Sequence, residues 1–139
     1  MIDNRTAPYA ATALRVALGV MFIAHALLKY FVFTLPGTVQ FFGSLGMPAA
    51  FAYGTFAAEL VGGVLLIAGW RTRWVALALV PILLGATWVH AGNGWLFTAP
   101  NGGWEYPAFL SVAAIVQSLL GDGAYALSSG RFASRLQAA

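Results

Sequence analysis

The sequence predicts an all-α, four-helix transmembrane bundle with both termini in the cytoplasm, and three observations predict it. Of the 139 residues, 60% are hydrophobic and 8% charged, against roughly 25% charged in a soluble domain, and the mean hydropathy is +0.80. A domain of this length cannot bury so much apolar surface, so the surplus faces lipid. Four apolar stretches approach the ~20 residues that a spanning helix needs. Turn-forming breakers separate them. The chain, 1–139, reads as one integral-membrane domain.

The first span covers about residues 10–33 and ends before LPGT and LGMP. The second, 49–69, ends at GWRTR; the third, 74–91, at GNG and PNGG; the fourth, 104–120, at GDG. The fourth is short and leans on aromatic interface anchors. Pro81 is expected to kink the third. The tail, 124–139, carries Arg131 and Arg135 and is expected to form a short surface helix. AHA at 24–26 has the small-x-small form of a signal-peptide cleavage site, but the apolar run continues past it through Leu27, Leu28 and Tyr30. With four spans, Arg5, Arg15, Arg71, Arg73, Arg131 and Arg135 fall on one side and Lys29 alone on the other. The positive-inside rule therefore places both termini in the cytoplasm, with the connections 34–48 and 92–103 outside as loops.

The chain has no cysteine, which excludes a thiol relay, an iron–sulfur cluster and a disulfide framework. Its basic residues are scattered, so no nucleic-acid-binding stripe forms, and phosphate-loop, nucleotide-binding and zinc-protease patterns are absent. Haem between two histidines and a metal held by His25, His90 and carboxylates are minor alternatives; no metal site and no covalent cofactor is expected.

The informative residues are ionisable groups inside apolar segments, which face a cavity or one another rather than lipid. At 1.5 Å per residue, His25 lies roughly 5 Å and Lys29 roughly 10 Å outward of the midplane of span one, and Glu59 sits near the centre of span two. His90 and Glu105 fall at the outer ends of spans three and four. Arg15, Leu18, Phe22, His25 and Lys29 share one helix face through 3, 4, 3, 4 spacing. Gly54, Ala58 and Gly62 repeat every four residues and predict a small-residue packing ridge beside Glu59. Glu59 is either a structural partner of Arg15 or His25, or a proton and hydrogen-bond partner of a ligand. Lys29 either joins that group or snorkels to the surface. His90 reads equally as a cation at a helix C-terminus and as a ligand contact, and Glu105 as a favourable charge at a helix N-terminus. Trp88, Trp95 and Trp104 read mainly as interfacial belt residues, one of which could stack on a planar ligand.

The chain resembles the DoxX family of small four-helix membrane proteins. The resemblance rests on Arg15 and Gly19 in RVALGVMF with Lys29 further along that face, FFGSLGMP (41–48), and AELVGGVLLIAGWRTR (58–73) with Glu59, Gly62, Gly63, Gly69 and Arg73. ATWVH (86–90), GWEYP with Glu105, and LLGDGAYAL (119–127) follow in order. Asp122 departs from the family pattern, which often has proline there. The resemblance implies a bundle in the cytoplasmic membrane and a role in quinone-linked oxidoreduction or oxidative-stress responses, as an oxidoreductase subunit with a redox partner protein.

The leading expectation is a binder of a small lipophilic ligand such as a quinone, held by Glu59, His90, His25, Lys29, Glu105 and Trp88. Phe22, Phe56, Trp88 and Phe109 would wall the site, and the histidines would hydrogen-bond carbonyl oxygens. The alternative is a non-catalytic membrane partner or assembly subunit whose buried polar residues are structural, with the glycine ridge serving packing or a homo-oligomer. A proton-coupled transporter is a third reading, weakened by the small number of spans.

Overall fold

The structure, a computed structural model, describes residues 3–128. Helix α1 (Ala7–Leu27) starts with proline in its first turn, where the missing N–H costs nothing. It runs on into a π-helical turn, Leu28–Val32. Helix α2 (Leu35–Ser44) follows, then α3 (Ala49–Ala68), α4 (Thr72–His90) with a closing 3₁₀ turn at Ala91–Asn93, and α5 (Glu105–Leu120). Three of these helices are long and apolar enough to cross a membrane, and α5 is a shorter apolar helix of 16 residues. The expected all-helical, four-helix membrane bundle is the fold that forms. The surface helix expected around Arg131 and Arg135 lies outside the described residues.

One element was not expected. The connection 34–48, read as a loop, contains α2. Thr34 caps it, its hydroxyl accepting from the Gly37 N–H at 3.2 Å, and Pro36 sits in the first turn. Both are good helix-start residues. Helix α4 runs unbroken through Pro81, which is exposed, while Ile82 and Leu83 beside it turn inward.

Packing is by pairs, α1 against α3 and α4 against α5, around Leu18, Phe22, Leu66, Leu79, Leu83 and Ala114. Outside this core the large side chains, Phe31, Trp74, Trp88, Phe109 and Leu119 among them, are exposed, as lipid-facing residues must be. The small-residue ridge is not the one expected. Gly54 has open space beside it, whereas Gly19 and Gly63 form the close α1–α3 contact: a Cβ at either would stand 2.7–2.8 Å from the other's carbonyl oxygen. Gly62 faces Leu79 on α4.

The end of the bundle near the termini is tied by two charges. Arg15 is 1% exposed and donates to the Leu66 and Ile67 carbonyls at 3.1 and 2.9 Å and to Ala124 O at 3.3 Å. It therefore places a cation on the last carbonyls of α3, Leu66 O being shared with the Gly69 N–H. Asp122 does the converse for α4. Its Oδ1 accepts from the Thr72 N–H at 2.9 Å and its Oδ2 from the Ser128 hydroxyl at 2.6 Å. Burial pushes the Asp122 carboxyl up, but the hydrogen bonds from Ser128 and Thr72 and the Arg15 charge outweigh it and hold the group below its ordinary value. A carboxyl lowered on folding stabilises above its unfolded value, and that contribution fades as pH falls through the folded one. Asp122→Ala is therefore expected to cost about 1 kcal/mol at neutral pH, the usual worth of a helix cap. The deficit should begin to shrink below about pH 5 and go on shrinking below the ordinary carboxylate value, as checked by melting temperature against pH.

Candidate functional site

A cavity of about 880 Å³ opens inside the bundle at the α2 end. It lies between α1, α3, α4 and α5, with α2 and the 92–103 connection over it. Most of its wall is apolar: Leu18, Phe22, Ile82, Leu83 and Leu110 at its base, and Phe33, Phe41, Phe42 and Phe97 toward α2 and the connection. Into this lining project Lys29, Glu59, His25, His90 and Tyr106.

Lys29 and Glu59 form an ion pair. The ammonium donates to both carboxylate oxygens, at 2.9 and 2.8 Å, with the side chains 17% and 7% exposed. Lys29 thus does not snorkel. It sits in the π turn that ends the first span, a distortion that often accompanies function. Arg15 is not the partner of Glu59: it is engaged at the Leu66–Ile67 carbonyls, seven or eight residues further along α3, which is roughly 11 Å of helix. His25 is not hydrogen-bonded to Glu59 either. A buried pair of this kind is held against a large desolvation cost, so a fully apolar filling would serve stability as well or better. Two of the ammonium's three N–H groups are used by Glu59, which leaves one for a further acceptor.

The two histidines share one geometry. His25 Nδ1 lies 2.8 Å from the Met21 carbonyl and His90 Nδ1 lies 2.8 Å from the Ala86 carbonyl, each one turn back on its own helix. A carbonyl oxygen only accepts, so Nδ1 carries the proton in both rings. Nε2 has no protein partner among the described residues. A Cβ at Gly102 would lie 3.7 Å from His90 Nε2, so a larger residue there would crowd that nitrogen. His25 stacks on Tyr106, ring centroids 5.8 Å apart and planes 24° apart, and the Tyr106 hydroxyl points to Met21 Sδ at 3.6 Å.

Four of the six expected ligand-contact residues, Glu59, His90, His25 and Lys29, therefore line one cavity. The other two do not. Trp88 is 66% exposed on the outer face of α4. Glu105 accepts from the Phe97 N–H at 2.8 Å and borders a separate groove of about 500 Å³ with Trp95, Phe109 and Val112. Of the expected aromatic walls, Phe22 lines the cavity; Phe56 stacks on Tyr30 at 6.1 Å instead, and Phe109 is 70% exposed. Tyr106 was missed, although it directly follows Glu105 and a single residue step rotates a helical side chain by about 100°.

These features define a multi-pass membrane protein whose spans enclose an apolar-walled cavity with a few convergent polar groups. The chain belongs to the DoxX family, whose profile matches residues 10–92. It is 41% identical over 83 residues to a Bacillus subtilis protein named "Putative oxidoreductase CatD", covering 60% of this chain and 60% of that one. It is 33% identical over 127 residues to a Haemophilus influenzae protein of uncharacterised function, covering 90% and 92% of the two chains. No solved structure matches the chain.

Proposed function

We propose that the protein binds a small lipophilic ring compound, a member of a quinone couple, in the cavity between its helices, as part of a membrane redox system. The observation that carries this reading is the convergence of His25, His90, Tyr106 and the Lys29–Glu59 pair on one apolar-walled space of about 880 Å³, a size and lining typical of small-molecule sites. Phe22 and Tyr106 offer faces to a ring. The spare N–H of Lys29 stabilises charge developing on a ring oxygen, as a fixed cation in a water-poor site does. Glu59, in contact with that ammonium, is placed to take or return a proton. The oxidoreductase name of the Bacillus relative supports a redox role. The arginine distribution supports an orientation with both termini inside, and residence in the cytoplasmic membrane is part of this reading.

The test is the melting temperature of the purified protein in detergent against the concentration of a short-chain quinone, in oxidised and in reduced form. A ligand of the folded state stabilises it by mass action, by about 2.7 kcal/mol at a hundredfold excess over Kd. A saturable rise that is lost in His90→Ala is the expected result. A flat response in both forms from a well-folded protein would make the polar cavity a structural feature of a non-catalytic membrane subunit.

A further inference from the structure

We infer that the cavity selects the reduced, hydroxyl-bearing member of the couple, because both of its histidines, as neutral imidazoles, present a hydrogen-bond acceptor. This rests on the reading of the cavity as a ring-compound site and adds which form of the ring it takes.

The inference follows from two distances. With His25 Nδ1 on Met21 O and His90 Nδ1 on Ala86 O, each at 2.8 Å, the single proton of a neutral imidazole is spent on the helix backbone. What remains for the cavity is the lone pair on Nε2. Two independent rings, on α1 and α4, are fixed in this same tautomer by the same one-turn hydrogen bond. Either ring could instead have turned Nδ1 to the cavity as an acceptor and kept an N–H at Nε2, but that would leave a part-buried backbone carbonyl with one partner fewer. Apart from Asn101, which is exposed, the other polar side chains of the lining do not reverse the polarity. Glu59 accepts only, and it is already held by Lys29. The Tyr106 hydroxyl is turned to Met21 Sδ. Lys29 keeps one N–H for an acceptor.

A dihydroxyaromatic ring complements this set. Its two O–H groups donate to two Nε2 lone pairs, and either oxygen also accepts from Lys29. A quinone brings lone pairs on both oxygens and would set at least one of them against a nitrogen lone pair, leaving both unpaired in an apolar site. The cost of such buried unpaired groups corresponds to roughly a tenfold difference in affinity or more.

The experiment measures Kd by ligand-induced stabilisation for three compounds on one alkyl-substituted ring: the hydroquinone under anaerobic conditions, the quinone, and the hydroquinone dimethyl ether. The ether keeps the oxygens and removes the donors. The absence of cysteine in the chain removes thiol addition as a confounding reaction of the quinone. The full-length wild-type protein should bind the hydroquinone about tenfold tighter than the other two. His25→Gln and His90→Gln, whose amides can donate as well as accept, should each bring the ratio toward one while the protein stays folded. A quinone that binds as tightly as the hydroquinone, or a ratio unchanged in both variants, overturns the inference while leaving the cavity a ligand site. Binding of none of the three overturns both.

Discussion

Lys29→Met will destabilise the protein by about 3–5 kcal/mol, and Glu59→Leu by a similar amount, whereas the double variant Lys29→Met/Glu59→Leu will melt at or above the wild-type temperature. The reason is the asymmetry of buried charge. Glu59 is the residue of α3 that reaches the cavity, its side chain is 7% exposed, and both of its oxygens are taken by the Lys29 ammonium. Removing one partner strands the other in an apolar wall. Removing both eliminates two desolvation costs and replaces them with side chains of similar volume. The measurement is a double-mutant cycle on unfolding free energy in detergent or by steric trapping in bilayers. A coupling close to zero would mean that solvent reaches the pair well enough to screen it. The cycle separates two roles that a single substitution confounds, since Glu59→Gln would change both folding and any ligand contact.

The second large effect is at the contact between α1 and α3. Gly63→Val is expected to cost about 3 kcal/mol, at the upper end of what overpacking costs. The nearest obstacles to a Cβ there are Ile23 Cγ1 at 2.7 Å and the Gly19 carbonyl at 2.8 Å. Rotamer adjustment moves the first, but the second is backbone and yields only if the helices separate. In a bilayer, where helices associate through packing rather than through a hydrophobic drive, such separation has no compensating gain. Gly54→Ala is the matched control: open space surrounds Gly54, and alanine should be neutral or favour α3 by up to about 1 kcal/mol. Equal losses at the two positions would place the close contact elsewhere.

These two sites also illustrate what could be read in the sequence. The bundle was legible because span length and breakers are one-dimensional properties. The polar cavity residues were legible because an ionisable group in an apolar segment has few places to go. Pairing and azimuth were less so. Gly54, Ala58 and Gly62 share a regular four-residue spacing, but the contact uses Gly63, one step round the helix, because its partner Gly19 lies there. Trp88 is two residues from His90, about 200° round α4, and so faces away from the cavity that His90 lines. Glu105 carries the charge, but its neighbour Tyr106 carries the position. The partner of Glu59 depended on axial height, which the spacing of α1 alone does not relate to that of α3. Helix α2 was hidden because ten residues fall short of a span, although Thr34 followed by Pro36 carried a readable start signal.

The most direct test of a cavity kept polar for a ligand rather than for the fold is the ligand-induced rise in melting temperature of the Lys29→Met/Glu59→Leu double variant, beside the wild type, with a short-chain hydroquinone. The predicted result is a variant that folds at least as stably as the wild type and has lost most of the rise. A variant that keeps the full rise would contradict it, because the buried pair would then take no part in holding the ligand.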